Sequence, residues 1–119
     1  MPLALIESCR TRTDDEVAHL LQAVYEAQLA AFNVPPSDRQ SRYVEHSPKW
    51  VLTPPDSSDN FILITIQMFP GRSAIAKQVF YQEILKRLGA LGIHEVDVFI
   101  GLHESPVENW CIRNGRPAP

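Results

Sequence analysis

The chain has 119 residues, of which 45% are hydrophobic and 21% charged, with a net charge of −3. That length suits one domain with a modest core, the composition excludes a disordered tail, and the negative balance argues against nucleic acid as a partner. No apolar stretch reaches the ~18 residues of a membrane helix, and the start lacks the basic region and long apolar run of a signal peptide, so a cytoplasmic protein with no membrane partner is expected.

The chain opens Met1-Pro2, followed by the apolar run Leu3 to Ile6. Initiator methionine is commonly trimmed before a small residue. Trimming would leave Pro2 as a free secondary amine, a group that titrates near pH ~8 and can accept a proton, donate one or add to a carbonyl. Leu3 to Ser8 reads as a strand, which would hold that terminus still. Thr13-Asp14-Asp15-Glu16 is a capping box, and Val17, Leu20, Leu21, Val24, Ala27 and Ala31 follow at helical spacing, predicting a helix over 14–32. Asn33-Val34-Pro35-Pro36 ends it, and Ser37 to Gln40 turns the chain. Arg42 to His46 reads as a second strand. Lys49 to Asn60 reads as loop around Pro54-Pro55, with a short extended piece at Trp50-Val51-Leu52.

Phe61 to Met68 is the strongest strand signal, β-branched and nearly continuous. Ile62, Ile64, Ile66 and Met68 share one face, and Phe61, Leu63 and Thr65 share the other. Phe69-Pro70-Gly71-Arg72 turns the chain, Ser73 caps a second helix, and Ala76, Val79, Phe80, Ile84 and Leu88 form its apolar stripe up to Gly89 and Gly92. Val96 to Leu102 reads as the fourth strand, and Asn109 to Arg113 as a closing segment that carries Trp110.

The order is β-α-β twice, in halves of about 2–48 and 60–104. Arg12-Thr13 before the first helix matches Arg72-Ser73 before the second, and Asp38 after the first matches Asp97 after the second, about 60 residues on. Two such units predict an α/β (α+β) fold, a four-stranded mixed sheet with both helices on one face. The uncovered sheet face then predicts self-association. Cys9 and Cys111 fit no metal pattern, His46, His94 and His103 share no ligand spacing, and no metal is expected.

Together these stretches resemble the tautomerase superfamily, and within it the malonate semialdehyde decarboxylase-like group. The resemblance rests on Pro2 heading strand one, Phe32 to Arg39 after helix one, and Gly71-Arg72-Ser73 before helix two. Lys77, Phe80-Tyr81-Gln82, Asp97 to Ile100, Asn109-Trp110 and Gly115 extend it over nearly the whole chain. It implies a single tautomerase/MIF-like domain over 1–119, a homotrimer, and a cofactor-independent enzyme acting on a small-molecule carboxylate. Pro2 would be the catalytic amine, Asp38 the aspartate that interacts with it or positions a water, Arg72 the arginine that binds the substrate carboxylate, and Trp110 an aromatic wall. Two departures leave the substrate open. Phe69 and Pro70 stand where some relatives carry a second arginine, and Cys111-Ile112-Arg113 replaces the usual run after the tryptophan. Arg113, Arg116 or a neighbouring subunit is the candidate to supply that charge. A non-catalytic oligomeric binding or signalling module on the same fold is the alternative, with an unrelated ferredoxin-like domain behind it.

Each site residue also has a structural use. Asp38 suits a turn, Arg72 the approach to a helix, and Trp110 plain packing.

Overall fold

In the computed structural model, residues 2–113 and 115–117 are described, without the side chains of Arg113, Arg116 and Pro117. Strand β1 (Pro2–Ser8) leads to helix α1 (Asp14–Phe32) and strand β2 (Ser41–Glu45). Strand β3 (Ile62–Met68), helix α2 (Ala74–Ala90) and strand β4 (Val98–Glu104) repeat the pattern, and the short strands β5 (Cys111–Arg113) and β6 (Arg116–Pro117) follow. The main sheet runs β2-β1-β3-β4. Its outer pairs are parallel, each joined by its own helix, and the central β1–β3 pair is antiparallel. A pseudo-twofold axis between β1 and β3 therefore relates the halves, as the repeat predicts.

The helices start where the caps place them. The Thr13 hydroxyl accepts from Glu16 N at 3.2 Å, and Glu16 Oε1 accepts from Thr13 N at 3.0 Å. Ser73 caps α2 by accepting from Ala76 N at 3.0 Å. Asn33 closes α1 in the left-handed region, at φ 52°, and its N–H donates to Leu29 O. Gly92, at φ 86°, turns the chain out of α2 where a side chain would be strained.

Both helices pack on one sheet face. Ala4, Ile6, Ile62, Ile64 and Ile66 are fully buried there against Val24, Ala27, Phe80, Ile84 and Leu88. Each large apolar side chain so buried contributes about 1.5–3 kcal/mol relative to exposure. The opposite face stays half open, with Leu3, Leu5, Leu63 and Thr65 only partly covered and Phe99 49% exposed.

Three local expectations are corrected. Trp50 is not part of an extended piece, because Pro48–Trp50 closes a 3-10 turn in which Trp50 N donates to Ser47 O; the extended backbone begins at Val51, at φ −130° and ψ 128°. The fourth strand begins at Val98 rather than Val96. Glu95–Asp97 winds into a 3-10 turn capped by His94 Nδ1, and the buried Asp97 carboxylate there accepts from Ser58 N and Oγ, both at 2.6 Å. Val79 is 41% exposed, off the buried stripe of α2. Asp38 and Asp97 each end a 3-10 turn that precedes an outer strand, so the repeat extends to the turns.

Candidate active site

The sheet register gathers the site. Pro2 lies opposite Met68, and Met68 lies opposite Glu104, in one row across three strands. Ala4 pairs with Ser41 and donates its N–H to Gln40 O at 3.1 Å, which sets the Pro36–Asp38 turn at the same sheet end as Pro2. Arg72 lies in the short connection from β3 to α2 at that end. Ser105 N donates to Met68 O at 2.9 Å and draws the chain back before the Val107–Asn109 turn presents Trp110.

Pro2 is fully buried at the first position of β1, and Met1 lies outside the described residues. Asp38 is half-buried. Arg72 donates from Nη1 to the Phe32 carbonyl at 2.6 Å, and its guanidinium carbon stands 4.7 Å from the centre of the Phe32 ring. Burial lowers its pKa below the ordinary guanidinium value, yet the group stays a cation at working pH. Trp110 Nε1 donates to Ser105 O at 3.2 Å, and the indole meets the Phe69 ring edge-on at 5.9 Å.

A cavity of about 350 Å³ opens at this end between Gln67, His103, Glu104, Ser105, Asn109 and Trp110. Of the four residues marked in the sequence, Trp110 alone lines it; Pro2, Asp38 and Arg72 reach the same sheet end from their own segments. Gln67, His103 and Glu104 escaped sequence reasoning. A polar residue breaking the apolar alternation of β3 was the available signal for Gln67. Glu104 is held by Lys77 of α2, with Nζ to Oε1 at 3.1 Å. Among the described residues no group of His, Cys, Asp and Glu could hold a metal ion, and no helix is long and apolar enough to cross a membrane. The side chains of Arg113 and Arg116, the candidates to replace a second arginine, lie outside the description.

A family model described as tautomerase enzyme matches residues 38–113. The chain belongs to this tautomerase family. The match starts at Asp38, so membership is established independently of Pro2. The chain is 27% identical to Probable tautomerase YusQ of Bacillus subtilis (strain 168), over 98% of this chain and 96% of that protein. Among solved structures it is similar to malonate semialdehyde decarboxylase, described with decarboxylase and hydratase activities, at 29% identity and TM-score 0.88, covering 96% of this chain and 92% of that one. It also shares its fold with a fused 4-OT symmetric trimer, at 20% identity and TM-score 0.86, covering 98% of this chain and 95% of that one.

Proposed function

We propose that this tautomerase is a cofactor-independent enzyme acting on a small oxo acid. The amine of Pro2, freed by removal of Met1, serves as its acid or base. The observation that carries the reading is the register that sets Pro2, Asp38 and Arg72 at one sheet end beside the cavity walled by Trp110.

The chemistry follows from the residue types. Arg72 offers a planar fork of donors that suits a carboxylate, and one of its nitrogens already fixes it to the end of α1. A neutral Pro2 amine removes a proton α to the substrate carbonyl and returns it elsewhere, which is keto–enol tautomerisation. A protonated amine instead polarises the carbonyl and promotes loss of a β-carboxylate, the malonate semialdehyde type of decarboxylation. Asp38 favours the protonated amine and Arg72 the neutral one, so their balance selects the route. Similarity to malonate semialdehyde decarboxylase supports the second route, and similarity to YusQ the first.

Intact mass decides whether Met1 is removed. If it is retained, Pro2 is an amide and the amine mechanism fails. Wild type, Pro2→Ala and Arg72→Ala are then assayed on phenylenolpyruvate and on a β-keto acid. A rate for Pro2→Ala equal to wild type overturns the proposal. Bonding of Arg72 to Phe32 favours one further reading, a non-catalytic oligomeric module in which Arg72 only fastens α1. Turnover lost in Pro2→Ala and Arg72→Ala without loss of folding decides against it.

We also infer that the half-open sheet face, with Leu3, Leu5 and Phe99, is covered in a homotrimer; the fused 4-OT of similar fold is a symmetric trimer. Sedimentation showing a stable monomer contradicts this.

A further inference from the structure

The pseudo-twofold axis that builds the candidate active site builds a second pocket at the opposite sheet end. His46 N donates to Ser8 O at 2.8 Å, the counterpart of Ser105 N to Met68 O at 2.9 Å. The Pro48–Trp50 turn is the counterpart of Val107–Asn109. A cavity of about 200 Å³ lies there, between Glu7, Ser8, Cys9, His46, Trp50, Val51, Phe61 and Leu63. That is smaller than the ~300–1,000 Å³ of drug-sized sites and suits a fragment.

The axis also shows what differs. At the repeat spacing of about 60 residues, Glu7 stands for Gln67, His46 for Ser105, Trp50 for Asn109 and Val51 for Trp110. Pro2 is replaced by Ile62, an internal residue preceded by Phe61, so this end offers no terminal amine. Its arginine and aspartate are both occupied. Arg12 donates from Nε to Ser8 Oγ at 3.4 Å and from Nη2 to Asn60 Oδ1, while Asp97 holds Ser58. A carboxylate, Glu7, takes the place of a neutral amide. The pocket is therefore no second oxo-acid site, because an anion would meet Glu7 with no arginine or lysine among the described lining residues to balance it.

His46 Nε2 lies 2.9 Å from Glu7 Oε1. Neither Glu7 Oε2 nor His46 Nδ1 has a hydrogen bond among the described residues. With the ring neutral and its Nε2–H donating to Glu7, both remaining atoms are acceptors. Trp50 and Phe61 line the pocket beside them, and aromatic rings favour cations at their faces. We propose that this pocket binds a small planar organic cation carrying N–H donors, of the aryl amidine class. The donors pair with Glu7 and His46, and the ring lies against Trp50 and Phe61.

This inference is independent of the reaction proposed for Pro2, and binding reads it directly. Benzamidine is titrated at millimolar concentration into the assembled, ¹⁵N-labelled protein, with benzoate as the anionic control. The expected result is amide shifts confined to residues 7–9, 46–51 and 61–63, with no benzoate shifts there. Glu7→Gln is expected to weaken benzamidine at least tenfold while turnover on phenylenolpyruvate stays at the wild-type level. Trp50→Ala, at a position 82% exposed and so of small cost to folding, is expected to weaken it as well, and serves if Glu7→Gln does not fold. Absence of benzamidine shifts, shifts only at the Pro2 end, equal binding of benzoate, or affinity unchanged in Glu7→Gln or Trp50→Ala each overturns the proposal.

Discussion

Arg72 and Phe32 form a two-part clasp. The guanidinium donates to the Phe32 carbonyl at 2.6 Å and lies over the ring of the same residue, and that ring stacks on Phe80 of α2 at 4.9 Å between centroids. The loop before α2 is thereby fastened to the last turn of α1, whose carbonyls lack partners within the helix. One side chain thus closes the helix layer and offers its remaining donors at the sheet end that holds Pro2.

The clasp separates two roles of Arg72. Arg72→Ala is expected to lower stability by about 1–3 kcal/mol in denaturant unfolding and to lower kcat/KM on an oxo acid by at least about 100-fold. Arg72→Lys keeps the charge but not the planar fork, so it is expected to recover part of the stability and little of the rate. Rates near wild type in both variants, measured where both are folded, would leave Arg72 as a fastener only.

Gln28 is a misfit in the helix layer. It is 2% exposed, and its Nε2 has no hydrogen-bond partner among the described residues. Its repeat counterpart in α2 is Leu88, fully buried in the core. Gln28→Leu removes an uncompensated polar group at similar volume, and a gain of about 1 kcal/mol is expected. Thermal unfolding reads this as a rise of a few degrees in Tm, and a fall in Tm counts against the account.

Asp97 ties the long loop after β2 to the sheet through Ser58. Asp97→Ala leaves the Ser58 donors without their acceptor, and a loss of about 2–3 kcal/mol is expected. Ser58→Ala removes one of the two bonds and is expected to cost about 1 kcal/mol. In the double variant the two losses should fall short of their sum, because both substitutions break one shared contact.

The capping box of α1 predicts a pH dependence. Hydrogen bonds from the Thr13 backbone and hydroxyl hold the Glu16 pKa below the ordinary value of 4.5. A carboxyl with a depressed folded pKa adds stability above its unfolded value and loses it as pH falls through the folded one. Glu16→Gln is therefore expected to flatten the acid limb of the stability curve below about pH 4.5. Thr13→Ala removes the cap itself and is expected to cost about 1 kcal/mol at neutral pH. Urea unfolding at a series of pH values checks both. An unchanged acid limb in Glu16→Gln refutes the capping argument.

Much of the fold was legible because its signals are local. The Thr13 and Ser73 caps, the 3.6-residue stripe of α1 and the β-branched run of β3 each report on neighbours a few residues away. The repeat then implied the sheet, since two β-α-β units have few ways to share a core. The start of β4 was misplaced because Val96 continues an apolar alternation that the Asp97–Ser58 contact overrides, and Ser58 lies far off in the chain. The extended piece expected from Trp50 begins only at Val51, because Pro48 opens a 3-10 turn that takes in Trp50.

The sequence by itself determined where the helices begin, which face of β3 is buried, the twofold repeat and four candidate site residues. Only the tertiary structure decided which segments share a sheet end, that Arg72 fastens Phe32, that Gln67, His103 and Glu104 wall the cavity with Trp110, and that a Glu7–His46 pocket occupies the other end. The division has a physical reason. Caps and periodicity act over one or two turns of chain, whereas a pocket is made by strand register and helix packing between residues that are distant in the chain and independent until the core closes.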